Sequence, residues 1–257
     1  MGIYTAIFYQ PIFNLFVGLY NVIPGHDAGL VIIAITLIVR LVLYPFYRKQ
    51  VMAQKDMQEL QPKLAALKAQ HADNKEAQAK AMMELYKEHK VNPFSSCLPV
   101  LIQLPIFIAV YQVLRDGLTK PDSLNLLYGF VSRPELIDPH FLSLLDLSKP
   151  NAILAVLAGA AQFWQGKMLF AQRPDPALRG KKGVKDEDTM ALMNKQMMYL
   201  MPVMITFIGF SLPSGLALYW FISTAFMIVQ QYVAFKKKAN GAVTKIDEKT
   251  EVIASVK

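Results

Sequence analysis

The stretch Ala28-Gly-Leu-Val-Ile-Ile-Ala-Ile-Thr-Leu-Ile-Val-Arg40-Leu-Val-Leu-Tyr-Pro-Phe46 decides the fold of this chain. It has about the length that a helix needs to cross the hydrocarbon core of a bilayer, and its one charge is Arg40. A cation at that depth costs roughly 2.5 to 17 kcal/mol, depending on the reference state, so Arg40 marks a functional site whose partner has to be found. Arg48 and Lys49 mark the end of the span, which places Arg40 about 12 Å deeper, beyond easy snorkelling to the surface.

The composition of the 257 residues indicates a membrane protein. Hydrophobic residues make up 54% and charged residues 18%, and the apolar residues form long uncharged runs that one water-soluble core does not explain. The net charge of +8 comes from basic residues crowded into later segments, and no Lys or Arg precedes Arg40. We interpret this asymmetry as membrane topology rather than as a nucleic-acid-binding signature. The single cysteine, Cys97, excludes an intramolecular disulfide and a CxxC metal site.

Apolar runs predict five membrane spans, at 28–47, 95–115, 152–169, 197–212 and 215–235. The turn Leu212-Pro-Ser-Gly215 predicts that the last two form an antiparallel hairpin. The segment 1–27 is apolar but lacks the basic start of a secretory signal, so we interpret it as an extracytoplasmic amphipathic interfacial helix, with an uncleaved sixth span as the alternative. Its predicted aromatic anchors in the interface are Tyr4, Phe8, Tyr9, Phe13, Phe16 and Tyr20.

The distribution of Lys and Arg in the loops predicts the orientation. The segments 48–92 and 170–196 are rich in both and belong in the cytoplasm, whereas the loop 117–150 carries few and faces outward. The basic tail 236–257 is then cytoplasmic and the N-terminus lies outside, which agrees with five crossings.

Helical spacing of apolar residues predicts a cytoplasmic hairpin within 48–92. Its helices are expected over 48–70 and 76–91, and Pro62 predicts a kink or a new helix start in the first. The repeating residues of its first helix are Met57, Leu60, Leu64 and Leu67. The lysines of the hairpin suit anionic lipid, RNA or an acidic protein surface, and the sequence does not choose among these.

The predicted spans contain no Asp or Glu, so Arg40 has no acidic partner of its own at membrane depth. Its candidate partners are water, backbone carbonyls, lipid phosphate or a guest. For Gln112 and Gln230 we favour hydrogen bonding between helices, whereas a charge among several amides favours a wet cavity. The polar residues at this depth are Gln103, Gln112, Gln162, Gln165, Gln196, Ser223, Thr224 and Gln230.

Enzyme signatures are missing from the sequence. No HExxH, GxSxG or Walker A motif occurs, and no His lies in a predicted span. We therefore predict no catalytic residue, no metal and no cofactor. An anion-binding transporter or channel around Arg40, a structural subunit of a larger complex, and a lipid scramblase stay open as alternatives, although no internal repeat is visible.

Six motifs follow one another in a recognisable order. They are Thr36-Leu-Ile-Val-Arg40-Leu-Val-Leu-Tyr-Pro45, Met57-Gln-Glu-Leu-Gln-Pro62-Lys63, Met83-Glu-Leu-Tyr-Lys87, Val91-Asn-Pro93, Cys97-Leu-Pro99-Val-Leu-Ile-Gln103-Leu-Pro105-Ile-Phe107-Ile-Ala-Val-Tyr111 and Gly215-Leu-Ala-Leu-Tyr219-Trp220. Together they resemble the YidC family of membrane protein insertases over about 28–237. The resemblance implies an all-α polytopic protein of the bacterial plasma membrane, with five transmembrane helices around a hydrophilic groove that opens to the cytoplasm and to lipid but is closed outside.

The resemblance also implies a function. Family members insert and fold nascent membrane proteins in the lipid bilayer, alone or with the Sec translocon. The ribosome and the signal recognition particle are further candidate partners. Nucleic acid is not expected as the primary ligand. We expect a short form of the family, without the additional N-terminal span and the large periplasmic domain of the long form.

The resemblance assigns two groups of site residues. Arg40 matches the groove arginine, where it would transiently hold acidic residues of a substrate tail while the hydrated groove shortens the apolar barrier. The substrate-binding groove is assigned to Arg40, Gln103, Gln162, Gln165, Trp220 and Ser223. The apolar surface along which a nascent helix slides is assigned to Pro99, Leu101, Pro105, Phe107, Met201 and Pro202.

Overall fold

A computed structural model describes residues 2–92, 98–117, 121–170 and 187–255, and the described chain is mostly helical. The α-helices are α1 (Gln10–Val22), α2 (Ala28–Val42), α3 (Tyr44–Gln70), α4 (Lys75–Glu88), α5 (Leu98–Gln112), α6 (Ala152–Phe170), α7 (Glu187–Gly209) and α8 (Ser214–Ser255). A π-helical turn, Thr5–Tyr9, precedes α1. The strands β1 (His140–Phe141) and β2 (Leu145–Asp146), which the sequence did not predict, form a small antiparallel hairpin. Cys97 lies outside the described residues.

Helix length and hydropathy identify two candidate membrane crossings among the described residues. Ser214–Lys236, within α8, is long and apolar enough to span a bilayer by itself. A second span is possible if α2 and α3 are taken together across the 71° bend between them. The apolar helix Met198–Gly209 within α7 is shorter.

The first predicted span is broken near its C-terminal end. The sequence predicted one helix over 28–47, but α2 ends at Val42 and Leu43 leaves the helical conformation. Pro45 explains the break, because proline has no N–H to continue the hydrogen bonds of α2 and is well tolerated in the first turn of a new helix. Pro62, in contrast, lies inside α3, so no new helix begins there. The break bends α3 by 71° relative to α2 and brings Tyr47 against the end of α2.

The N-terminal helix packs into the body of the protein, which corrects the prediction for its aromatic residues. Tyr9, Phe13, Phe16 and Tyr20 are buried, and the Phe13 side chain is 0% exposed. They recur at helical spacing and belong to one apolar core with residues of α2, α5 and α8. Only Tyr4 and Phe8 among the predicted interfacial anchors are partly exposed. The helical periodicity of the sequence identified this face of the N-terminal helix as apolar. In the structure the face packs against other helices of the protein.

Helix α6 is the common packing partner of α7 and α8. The short connection between α7 and α8 is present, but the two helices pack mainly against α6 and little against each other, unlike the hairpin predicted from the turn. Small residues account for the close packing of α7 on α6. A Cβ added at Gly159 would lie 2.0 Å from Thr206 Oγ1, and one at Gly209 would lie 2.7 Å from Ala155 Cβ. Such close backbone approach is typical of helix pairs in membranes.

The loop between α5 and α6 is fastened to the N-terminal ends of two helices. Asp27 caps α2 by accepting a hydrogen bond from Leu30 N at 2.8 Å, and it also accepts one from Leu142 N. At α8, Ser214 N donates to Lys149 O at 2.9 Å. These bonds use helix-end N–H groups that have no partner within their own helix. The loop therefore fixes the N-terminal ends of α2 and α8, which are the ends opposite to Arg40 and to the C-terminal tail.

The hairpin of α3 and α4 has its own small core. Leu60, Leu64 and Tyr86 are buried in it together with Met57. Asn74 begins α4 by accepting a hydrogen bond from Ala77 N at 3.0 Å. Burial in this core raises the pKa of the Tyr86 hydroxyl.

Candidate functional site

Arg40 lies in the last turn of α2 and is only 3% exposed. The break at Leu43 determines this environment in two ways. It places the guanidinium at a helix C-terminus, whose partial negative charge favours a cation. It also brings Tyr47, in the first turns of α3, over the guanidinium, with 4.4 Å between the ring centroid and Arg40 Cζ. Arg40 is therefore enclosed by protein, which differs from the wet side chain that the sequence predicted.

Neutral polar groups surround the guanidinium. Arg40 Nε donates to Ser223 Oγ at 3.1 Å, Nη2 donates to the same oxygen, and Nη2 also donates to Gln103 Oε1 at 3.3 Å. Gln103 Nε2 in turn donates to the hydroxyl of Tyr219. The site thus joins α2, α5 and α8 through one short network.

No carboxylate among the described residues balances the charge of Arg40. Within the described part of the chain, Arg40 forms no ion pair, and its buried Nη1 has no hydrogen-bond partner. Hydrogen bonds to a charged group are worth about 1.5 to 3 kcal/mol each, and a desolvated cation–π contact about 2 kcal/mol. These contacts hold a buried cation whose full positive charge still favours an anionic guest.

One side of the site is closed by apolar residues. A cavity of about 10 Å³ is lined by Ile12, Phe16, Ile32, Val110 and Tyr219, together with neighbouring aliphatic side chains. Tyr219 separates this apolar packing from the polar network, because its hydroxyl accepts from Gln103 while its ring lines the cavity.

A second polar network joins α6 to α8. Trp220 Nε1 donates to Gln162 Oε1 at 3.1 Å, and Gln162 Nε2 donates to Gln165 Oε1 at 3.1 Å. The ring of Phe107 meets the Trp220 ring edge-on, with 5.0 Å between centroids. The structure thus divides the six predicted groove residues into an Arg40 network and a Trp220 network.

Comparisons with known proteins identify the family. A family profile described as 60Kd inner membrane protein matches residues 16–241. The membrane protein insertase YidC of Fusobacterium nucleatum subsp. nucleatum is 37% identical over 211 residues, which cover 82% of this chain and 87% of that relative. The chain belongs to the YidC family of membrane protein insertases.

Other YidC relatives are much longer. The YidC of Tolumonas auensis is 37% identical over 230 residues, 89% of this chain and 36% of the relative. That of Aeromonas salmonicida is 35% identical over 214 residues, 82% of this chain and 33% of the relative. The chain therefore spans most of the Fusobacterium relative and about one third of these two.

The structure describes the side chains of four of the six residues assigned to the apolar slide in this YidC-family chain. Phe107 packs against Trp220, and the carbonyl of Pro202 accepts from Thr206 Oγ1 at 2.9 Å, close to Gly159. Pro105 and Met201 are partly buried. The side chains of Pro99 and Leu101 lie outside the described part. Apolar exposure is pronounced on α6 and α7, at Ile153, Val156, Leu157, Trp164, Leu200, Val203 and Phe207.

Sequence reasoning missed two tyrosines of the Arg40 network. Tyr219 lies four residues before Ser223, so the two share a face of α8, and this spacing could have revealed it. Tyr47 gave no such signal, because its position over Arg40 depends on the bend at Leu43.

Gln230 was predicted to hydrogen-bond between helices, but its amide pairs with no described group. Gln112 is partly exposed in the last turn of α5.

Proposed function

We propose that this protein inserts nascent membrane proteins into the lipid bilayer by holding a polar substrate segment at Arg40 while an adjoining apolar helix passes into lipid. The observation that carries the proposal is a buried guanidinium with neutral partners, an unpaired Nη1 and no carboxylate among the described residues. Arginine keeps its proton, so the site suits transient binding of acidic groups and not proton transfer.

The proposed membrane arrangement has five spans, made by α2 with the start of α3, α5, α6, α7 and α8. The N-terminus lies outside the cytoplasm and the C-terminal tail inside, as the loop charges predict. Family membership places the protein in the bacterial inner membrane. Exposed apolar side chains on α6 and α7 support the assignment, because lipid is the environment in which such faces are stable.

The proposed mechanism needs no covalent chemistry. Substrate apolar residues entering lipid supply about 0.3 to 0.6 kcal/mol each, and Arg40 lowers the cost of the polar tail that must cross first. Tyr47 covers Arg40, so substrate entry requires α3 to move away from the end of α2. The apolar packing beyond Tyr219 keeps the site closed on the outer side.

The α3–α4 hairpin is the proposed contact for cytoplasmic partners. Exposed lysines on α4 provide a surface for the ribosome, the signal recognition particle or the Sec translocon.

Reconstitution of the purified full chain in liposomes tests the proposal. Two single-spanning substrates that differ only in an acidic or a Ser/Asn-rich translocated tail are scored by protease protection. Arg40→Ala should slow the acidic substrate by about tenfold, the equivalent of one lost charge-assisted contact, and Arg40→Lys should slow it less. The exposed Arg48→Ala serves as the matched control.

Insertion of the acidic substrate at the normal rate by Arg40→Ala would refute the role of the charge. Anion flux or lipid scrambling in the same vesicles without insertion would replace the proposed function with a transporter or a scramblase.

A further inference from the structure

Beyond the Arg40 network, α3 and α8 carry a group of buried glutamines, here called the amide seam: Gln50 and Gln54 of α3 and Gln230 and Gln231 of α8. Their exposed fractions are 4%, 7%, 7% and 0% in that order. The Oε1 atoms of Gln50 and Gln54, and both amide atoms of Gln230 and Gln231, have no hydrogen-bond partner in the described protein. Buried polar groups are normally paired, so this concentration of unpaired amides in one place requires a reason.

Helical spacing connects the amide seam to Arg40. On α3, Tyr47 lies over Arg40, and Gln50 and Gln54 follow it by three and seven residues, on the same face of the helix. On α8, Ser223 accepts from Arg40, and Gln230 follows it by seven residues on the same stripe. The faces of α3 and α8 that meet the guanidinium therefore carry Gln50, Gln54 and Gln230, and Gln231 directly follows Gln230.

A contact at the other end fixes the seam between these two helices. Lys55 Nζ donates to Phe235 O at 3.2 Å and lies 5.2 Å from the centroid of the Phe235 ring. Lys55 directly follows Gln54, and Phe235 lies one turn beyond Gln231. The amide seam thus lies between the Arg40 network and the Lys55 contact, where α3 packs on α8.

The chemistry of the amide seam indicates its ligand. A glutamine amide offers one acceptor and two donors without charge, which matches the C=O and N–H of a peptide group. Peptide groups of an extended segment must be paired when they leave water, whatever their side chains are. Arg40 can select acidic residues, but uncharged stretches need neutral partners.

We propose that the amide seam binds the main chain of an extended polypeptide segment between the cytoplasm and Arg40, independently of its sequence. This inference rests on the proposed insertase function and adds the residues that hold uncharged substrate segments. It also implies that α3 separates from α8 along the seam when substrate enters.

The test uses the full chain in liposomes with two purified single-spanning substrates, one with a Ser/Asn-rich tail and one with an acidic tail. In the double variant Gln54→Leu/Gln230→Leu, insertion of the Ser/Asn-rich substrate should fall about tenfold, the equivalent of one to two lost main-chain hydrogen bonds. The thermal unfolding midpoint should stay equal or rise, because leucine removes an unpaired buried amide. Gln112→Leu, which changes a span amide outside the seam, should insert both substrates normally.

Two results would overturn the proposal. One is unchanged insertion of the Ser/Asn-rich substrate by the double variant, and the other is a lower unfolding midpoint, which would show that the amides act as structural links between helices. If the wild-type chain inserts neither substrate, the proposed function itself fails. Normal wild-type insertion with an unaffected double variant refutes the amide seam alone.

A second measurement locates the substrate directly. With Cys97 replaced by Ala, Gln230→Cys should form a disulfide with single cysteines at several positions along the tail of a stalled Ser/Asn-rich substrate. Gln112→Cys should form none. Cross-links equal to those of the control would contradict binding in the seam.

Discussion

Replacing Tyr47 by leucine should remove a cation–π interaction worth about 2 kcal/mol between α3 and Arg40. The magnitude follows from the geometry. The Tyr47 ring centroid lies 4.4 Å from Arg40 Cζ, well inside the 6 Å limit for a cation–π contact, and both side chains are almost fully buried. A buried contact of this kind belongs at the upper end of the measured range, because little water competes with the ring for the cation.

A double-mutant cycle isolates this coupling from the hydrogen bonds of Arg40. The variants Tyr47→Leu, Arg40→Met and their combination are unfolded in mixed detergent micelles and followed by circular dichroism. The pair Lys55 and Phe235 supplies an internal control, because its ring distance of 5.2 Å is longer and both side chains are partly exposed. Its coupling should be about 0.5 to 1 kcal/mol.

The accessibility of Arg40 can be measured in the same variant. Tyr47→Leu should expose Arg40 to a water-soluble arginine reagent such as phenylglyoxal, whereas Tyr47→Phe keeps the ring and should leave Arg40 protected. A coupling for Tyr47 and Arg40 no larger than that of the control pair would refute the view that α3 is held over the site by the charge.

Two further predictions concern packing and pH. Gly159→Ala should lower the free energy of unfolding by about 1 to 3 kcal/mol, because the new Cβ meets Thr206 Oγ1 at 2.0 Å. Gly18→Ala is the control and should not destabilise the protein, because no atom lies within 4 Å of its new Cβ. Equal losses of unfolding free energy for the two variants in denaturant would contradict this. The hydrogen bond from Ser148 holds the pKa of Asp146 at about 2, below its usual 3.8. The stabilisation from the ionised Asp146 carboxylate is therefore complete above about pH 4 and is lost as the pH falls toward 2. An NMR titration should show a higher pKa for Asp146 in Ser148→Ala. An unchanged pKa would show that the hydrogen bond from Ser148 is not the cause.

The sequence marks Arg40 as a candidate site residue because its signal is local. A single charge in an apolar run is costly wherever the run is buried, so no knowledge of neighbouring helices was needed. The ends of α6, Ala152 and Phe170, lie close to the predicted 152–169, since the sequence is largely apolar between Asn151 and Arg173.

The enclosure of Arg40 could not be predicted in the same way. It depends on the direction that the chain takes after Leu43, and Pro45 indicates a break without giving the angle. The buried aromatic face of α1 shows a similar limit, because an apolar stripe fits lipid and protein equally well. The preference of α7 for α6 over α8 arises from close approach at Gly159 and Gly209, which only the three-dimensional arrangement identifies.

The fastening of α8 at its first residues has a mechanical consequence. Ser214 N and Gly215 N donate hydrogen bonds to Lys149 O and Leu147 O of the loop, so this end of the helix acts as a pivot. Any tilt of α8 then moves its residues in proportion to their distance from Ser214, about 14 Å for Ser223 and about 24 Å for Gln230. A small rotation would separate the Gln230 end of α8 from its neighbours nearly twice as far as the level of Arg40 and leave the Ser214 end in place. Under the proposed function, the opening would therefore taper, and substrate would enter from the Gln230 end.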